Sequence, residues 1–498
     1  MKMKILAISI LFALVFCALS CSSPDEGSGK GGEKSGVGET EDKKPEETTI
    51  ERLTADVPAD MKLGGRDFTI CYSDHPIDIA KEYDIYASEE DGTLINDAVY
   101  LRNRRLEAQF DMNIKEYVTP YGGVPGELGK RVKAGDDTFD AVTIYLNQVG
   151  TPASSGWFYD YAHMPYIDLK KPWWDPASVE AYSIANRLFA ACSDMTTLDK
   201  GMTGGMIFNK QMIQDHQLPN PYTLVDTGEW TLDKLYDMSK NIAMDLDGNG
   251  KYDDNDRYGV IYCRDAVMSI FNGCGETVAK KDENDIPYIT VMTEKTASII
   301  TNLFDFLYDT KNCFHSAKYF DPLPESYVDG QTRMFQEGKA LFVAIFMIEV
   351  ENLRNMETDF GILPMPKYDK AQQKYYCNVN PYTGVAIVFP TTIRSAEESG
   401  AVVEALSCDS KYTLQPTYID VLLKTKNARD EESQSMLELM FDNRIYDIGD
   451  IYQFGGIATE LIFMTMRYDK NFVSMCEKRQ NTAAKDIDRL VKKITELP

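Results

Sequence analysis

The chain has 498 residues, 43% of them hydrophobic, with 29 Tyr, 22 Phe and 4 Trp. That composition excludes a disordered chain, and the length exceeds what one typical core fills, so two large lobes are expected. A formal net charge of −26 repels phosphate backbones, which excludes nucleic acid as a partner and disfavours anionic ligands unless a local basic pocket overrides the field.

In chain order, Met1-Lys-Met-Lys leads into an apolar run over 5–19 and then Ser20-Cys21. The run is shorter than the ~17–25 residues that a membrane span needs. A basic start, a short apolar middle and a small residue before a cysteine resemble a bacterial lipoprotein signal over 1–20, with Cys21 as the lipidated first residue. Ala18 stands where such signals usually carry leucine, and the rival acceptor Cys17 follows the bulky Phe16. The expected location is the extracellular face of the cell membrane, lipid-anchored, on a surface of the Gram-positive type. Residues 22–51 are rich in Gly, Ser, Glu and Lys with little to bury, so 21–56 reads as a lipidated cysteine and a disordered tether.

Beyond the tether, 67–72 (DFTICY) and 139–146 (FDAVTIYL) read as strands and 95–110 as a helix. The spacing predicts a helix over 231–243, capped by Thr231, another through Ile300, Leu303, Phe304 and Leu307, and a C-terminal one through Ile487, Leu490, Val491 and Ile494. The apolar run 340–350 reads as a buried strand. Mixed strands and helices without a repeat point to α/β layers. The eight cysteines beyond Cys21 are scattered, with no C-x-x-C. They find no zinc or redox motif and read as buried thiols, with any disulfide connectivity open.

The sharpest local motif is 245–256, DLDGNGKYDDND. Oxygen side chains fall at loop positions 1, 3, 5, 9 and 12 (Asp245, Asp247, Asn249, Asp253, Asp256), with glycine at position 6 and the Lys251 carbonyl at position 7. This spacing wraps one hard cation and resembles a dockerin or EF-hand loop, so structural calcium is expected, with Asp256 standing where glutamate is usual. No transition metal is implied. Aromatics in loops marked by Pro and Gly, among them Trp173, Trp174 and Tyr382, suit stacking on sugar faces, although packing between elements explains any single ring equally well. Trp230, at a helix entry, reads as structural. Catalytic motifs are absent: the four histidines share none, G-x-S-x-G and H-E-x-x-H do not occur, and Asp359-Phe-Gly361 lacks the rest of a kinase signature.

Seven stretches, 129–144, 168–180, 206–224, 228–259, 335–346, 359–367 and 413–433, together and in order, resemble the bacterial extracellular solute-binding proteins of ABC importers, family 1, the maltose-binding-like group. The resemblance implies an α/β, two-lobe periplasmic-binding-protein-like fold of type II, with a ligand cleft between lobes joined by hinge strands. Lobe one would comprise 57–200 plus 380–428, and lobe two 201–379 plus 429–498. It implies a monomer without enzymatic activity that captures a carbohydrate, an oligosaccharide, by lobe closure and delivers it to the ABC permease subunits in the membrane. The alternative is a surface glycan-binding or glycan-active protein not coupled to transport. Ligands of open α/β sheets lie beyond the carboxyl ends of strands, which nominates Asp74, Tyr145 and Asn147 as ligand-binding residues. Trp173, Trp174, Phe346 and Tyr382 are the nominated stacking groups.

Overall fold

A computed structural model describes residues 52–76, 84–321, 325–354, 356–423 and 431–498. The leader, Cys21 and the tether as far as residue 51 lie outside the described residues. Two sheets organise the rest. The first runs in the order β12-β3-β1-β2, where β1 is Arg66–Ser73, β2 is Met112–Thr119, β3 is Ala141–Tyr145 and β12 is Val385–Val388. β1 pairs in parallel with β2, Arg66 opposite Met112, and with β3, while β12 runs antiparallel to β3. All five residues of β3 are buried, as expected of a central strand covered on both faces.

The second sheet runs β10-β4-β9-β5-β8, from Gly204–Asn209 (β4), Tyr258–Tyr262 (β5), Cys313–His315 (β8), Ala340–Phe346 (β9) and Phe360–Leu363 (β10). Two short pairs complete the strands: β6 (Ala279–Lys281) with β7 (Pro287–Ile289), and β11 (Cys377–Asn378) with β13 (Arg444–Ile445). The apolar run at 340–350 is strand only to Phe346. The Glu349 carboxylate accepts the Phe346 N–H at 3.0 Å and the chain turns into a 3-10 helix, Met347–Leu353. The helix expected over 231–243 is Leu232–Ser239. Thr231 caps it, accepting the Lys234 N–H at 3.3 Å, and it stops before Asn241, whose φ of 70° is left-handed.

Helices Leu94–Phe110, Glu294–Leu307 and Phe472–Thr495 match the remaining predicted periodicities. No helix among the described residues is long and apolar enough to cross a membrane. The eight cysteines at 71, 192, 263, 274, 313, 377, 408 and 476 are buried free thiols.

Three passages of chain lie side by side between the sheets. Thr203 bridges Val379, the Asn380 N–H donates to the Met202 carbonyl at 2.9 Å, and the Val379 N–H donates to the Ile445 carbonyl at 3.1 Å. Gly204, where β4 begins, tolerates no side chain: a Cβ there would stand 2.5 Å from Asn378 Oδ1. A second fastening is the fully buried Arg102. Its guanidinium donates to the carbonyls of Met195 (3.0 Å), Asp84 (2.8 Å) and Ile85 (3.3 Å) and to Ser410 Oγ (3.0 Å). It thereby ties helix Leu94–Phe110 to helix Ala396–Tyr412 and to the segment entering the first passage. Burial lowers its pKa to about 10, so it keeps its charge at neutral pH. Arg102→Met should cost about 3–5 kcal/mol, since it leaves several buried acceptors without donors; urea denaturation of wild type and variant measures the difference.

Candidate functional site

A cavity of about 450 Å³ opens between the two sheets beside these passages. Its walls follow from where strands end. His75 and Pro76 lie just past β1, Tyr121 just past β2, Arg264 and Asp265 just past β5, and Phe346 closes β9. These positions lie beyond the carboxyl ends of parallel-paired strands, the usual ligand position in open α/β sheets. Met202, Asn380, Tyr382 and Thr383 come from the first and second passages and form the base. Thr459, Ile462 and Phe463, on helix Ile457–Arg467, complete the lining.

Rings dominate. Tyr121 (54% exposed) and Phe463 (47% exposed) are among the few large side chains left open to solvent. Tyr121 stands edge-on to His75 at 4.8 Å between centroids, and Tyr145 packs behind both, 5.6 Å from Tyr121 and 6.2 Å from His75. Tyr382 is held through its hydroxyl, which meets Thr459 Oγ1 at 3.0 Å, accepts from Gln453 Nε2 at 3.1 Å and donates to Asp450 Oδ1 at 3.3 Å. Burial and the Asp450 carboxylate push its ionisation upward, so it stays a neutral phenol.

The polar groups are few. Arg264 donates to Asp321 at 3.2 Å, lies 3.9 Å from Asp265 and rests over the Tyr327 ring at 5.5 Å. Glu349 is buried at the cavity wall. It accepts from the Phe346 N–H and from Gln331 Nε2 at 2.5 Å, yet burial outweighs both bonds and raises its pKa to about 7. Asp265 is likewise raised by burial, against the pull of Arg264.

Of the nominated ligand residues, Phe346 and Tyr382 line this cavity. Tyr145 backs it, and Asp74 adjoins it, exposed, with its carboxylate on the His75 N–H at 2.9 Å. Asn147 lies in the short turn Leu146–Gln148, its N–H on the Pro381 carbonyl at 3.0 Å, and does not reach the cavity. Trp173 and Trp174 are buried elsewhere. Both indole N–H groups donate to the Glu404 carboxylate, at 3.0 and 2.8 Å, and both rings adjoin a separate cavity of about 250 Å³. Proximity to loops marked by proline is therefore a poor guide when a buried acceptor waits for the indoles. Trp230 is structural, as expected, donating to the Pro364 carbonyl at 2.9 Å. Sequence reading missed His75, Tyr121, Arg264, Asp265, Tyr327, Glu349 and Phe463. Recognising strands at 112–119 and 258–262 would have nominated Tyr121, Arg264 and Asp265 by the same strand-end rule.

In the acidic loop, the carboxylates of Asp245, Asp247 and Asp256 converge to within 4.8 Å of one another. Backbone N–H groups preset them: Gly248 and Gly250 donate to Asp245, and Leu246 and Asp253 to Asp256. Asp253 instead turns its carboxylate to the Asn255 N–H at 2.9 Å. The loop is closed by an antiparallel bridge between Met244 and Arg257, which leads into β5. The helix before it has already ended at Ser239, so the flanks are not those of a helix–loop–helix.

No family model and no curated protein sequence matches the chain. Solved structures do. An ABC substrate-binding protein of Listeria monocytogenes, in complex with cycloalternan, aligns with a TM-score of 0.53 at 12% identity over 86% of this chain and 99% of its own. The GacH receptor of Streptomyces glaucescens, solved unliganded and with acarbose, gives 0.54 at 12% identity over 87% and 100%. UspC of M. tuberculosis gives 0.56 at 14% identity over 84% and 100%. The chain thus has the two-lobe α/β fold of the ABC solute-binding proteins.

Glu404, buried between the two indoles, also has its pKa raised to about 7 by burial. A carboxyl raised above its unfolded value of 4.5 stabilises the fold most below that value, and the contribution is lost as pH rises through about 7. Glu404→Gln should therefore flatten the decline of unfolding free energy between pH 5 and 8, by at most about 3 kcal/mol; urea melts at both pH values provide the check.

Proposed function

We propose that this chain is the substrate-binding lipoprotein of an ABC importer, capturing an oligosaccharide by lobe closure and delivering it to the membrane permease. The observation that carries the reading is the cavity: about 450 Å³, walled by rings from both lobes and floored by the passages that join them. Rings offer apolar faces to sugar rings, while Asn380, Thr383, Thr459, Asp265 and Arg264 offer hydroxyl partners. Structural neighbours solved with cycloalternan and with acarbose add support.

On this reading the passages at 202–204, 377–380 and 443–446 are the hinge, and ligand shifts an open–closed equilibrium about them. Lobe one is 57–200 plus 380–428 and lobe two 201–379 plus 429–498. A lipid on Cys21 and the tether keep a monomeric receptor at the extracellular face of the membrane, beside its permease. No bond chemistry is assigned to the cleft.

The test is calorimetric titration of the purified chain with a panel of oligosaccharides, with small-angle scattering to follow closure. Binding with compaction is expected, and Tyr121→Ala or Phe463→Ala should weaken it about tenfold. Release of shortened products on long incubation with any glycan would replace the binding reading with a catalytic one.

We further propose that Asp245, Asp247, Asn249, Asp253 and Asp256, with the Lys251 carbonyl, hold one structural calcium ion, Asp253 acting through water. The convergence of three carboxylates supports it. Calcium should raise the melting temperature over chelator by mass action on the folded state, and Asp245→Ala should abolish the rise. Equal melting temperatures with calcium and chelator would count against the site.

A further inference from the structure

The charges around the cavity do not balance. Two carboxylates line it, Asp265 and Glu349, and a third, Asp450, lies directly behind Tyr382. Arg264 is the one arginine or lysine among the described lining residues, and it is already shared between Asp265 and Asp321. Among the described residues, Glu349 has only neutral donors, the Phe346 N–H and Gln331 Nε2. Asp450 likewise has the Tyr382 hydroxyl and Gln453. Neither has an ion-pair partner among the described residues. The carboxylates feel one another: Asp265 raises the pKa of both Glu349 and Asp450, and Asp329, from helix Tyr327–Gln336, adds to the effect on Glu349.

A buried carboxylate without a counter-cation is costly, so Glu349 and Asp450 hold their protons more tightly than usual, and among the described residues of the elements packed around Glu349 none pairs with it as a cation. Those elements contribute Asp265 and Arg264 after β5, Tyr327 and Asp329 from the helix, and His75 and Tyr121 on the opposite wall. The walls are also suited to a cation. Arg264 over Tyr327 shows one ring of the cleft already accepting positive charge on its face, whereas no cationic side chain of the described residues covers Tyr121 or Phe463. A net charge of −26 concentrates cations toward the whole molecule.

We propose that the ligand carries a protonated amine, as an amino sugar does, and that its ammonium supplies the missing positive charge facing Glu349 and Asp265 between the rings of Tyr121 and Phe463. The inference rests on the carbohydrate reading and narrows its substrate class. A neutral sugar leaves the Glu349 carboxyl to hold its proton near neutral pH. An ammonium beside it favours the carboxylate, so binding releases a proton to buffer.

The experiment is calorimetry on the full chain with matched pairs: glucosamine and glucose, galactosamine and galactose, and the β-1,4 tetramers of glucosamine, N-acetylglucosamine and glucose. In each pair that binds, the amine should bind about tenfold tighter or more at pH 7. N-acetylation, which removes the charge, should erase the advantage. The amine's binding enthalpy should vary with buffer ionisation heat, as proton release requires. Glu349→Gln should bring the ratio toward one and abolish the proton release. Asp265→Asn, at a less buried carboxylate, should lower the ratio as well and serves if the first variant fails to fold. Equal or tighter binding of the neutral members overturns the amine inference and leaves the carbohydrate reading standing. Binding of spermidine with silence across every sugar overturns both.

Discussion

The ion cluster at Arg444 is the constraint on which the arrangement of the passages between the sheets depends. Arg444, on the third passage between the sheets, reaches Asp175 at 2.7 Å and Asp199 at 3.1 Å; both carboxylates are buried and Arg444 is largely so. Asp175 also accepts the Tyr446 hydroxyl at 2.7 Å. Burial alone would raise the Asp175 carboxyl; Arg444 and Tyr446 overcome it and hold it below its ordinary value. Asp199, deeper and facing other acids, stays raised despite Lys200 and Arg444. Removing any one partner would strand a buried charge, a larger penalty than the pair itself contributes. The cluster therefore fixes which passages lie together more firmly than it adds stability.

The cleft inherits its form from that fixed point. Met202 and Asn380 lie on the passages beside Arg444's strand, and Tyr382 and Thr383 follow within one turn, so the cavity base is built from the joint. The walls combine strand ends from the two sheets with residues of helices Tyr327–Gln336 and Ile457–Arg467. The Tyr121 hydroxyl, from the first sheet, feels Arg264 and Asp265 of the second, so the two walls already face each other across the opening. A rotation about the passages would change wall spacing while leaving the base intact. That is the geometry in which a ligand touching both walls gains differential affinity for one state.

How much of this was legible in the sequence depended on how local the cause was. Periodicity identified the helix at Leu94–Phe110, and a capping threonine identified the start at Leu232, because i to i+4 spacing and caps act within a few residues. The strand-end rule brought Tyr145 and Asp74 to the edge of the cavity, and stacking chemistry picked out Phe346 and Tyr382. It failed at Trp173 and Trp174, whose fate is set by Glu404, some 230 residues away in the chain. It also passed over Phe463, an aromatic on helix Ile457–Arg467 that stays exposed beside the cavity. The spacing of 245–256 predicted convergent oxygens, but not that a strand rather than a helix would follow the loop.

Glu404 and Glu349 show why burial of a carboxylate does not by itself mark a site. Both have pKa values pushed to about 7 by desolvation. Glu404 receives one indole N–H on each oxygen, and its removal would leave two buried donors unmet, so its burial is explained by the donors it satisfies. Glu349 differs in kind. Its bonds cap a turn and hold Gln331, tasks a neutral amide or hydroxyl acceptor performs without the desolvation of a charge. The residue also lines the cavity of about 450 Å³, which Asp265 and the Tyr121 and Phe463 rings line as well. A fold retains a locally unfavourable group where the compensating partner comes from outside the chain. For Glu349, a cationic ligand meets that description better than any group among the described residues.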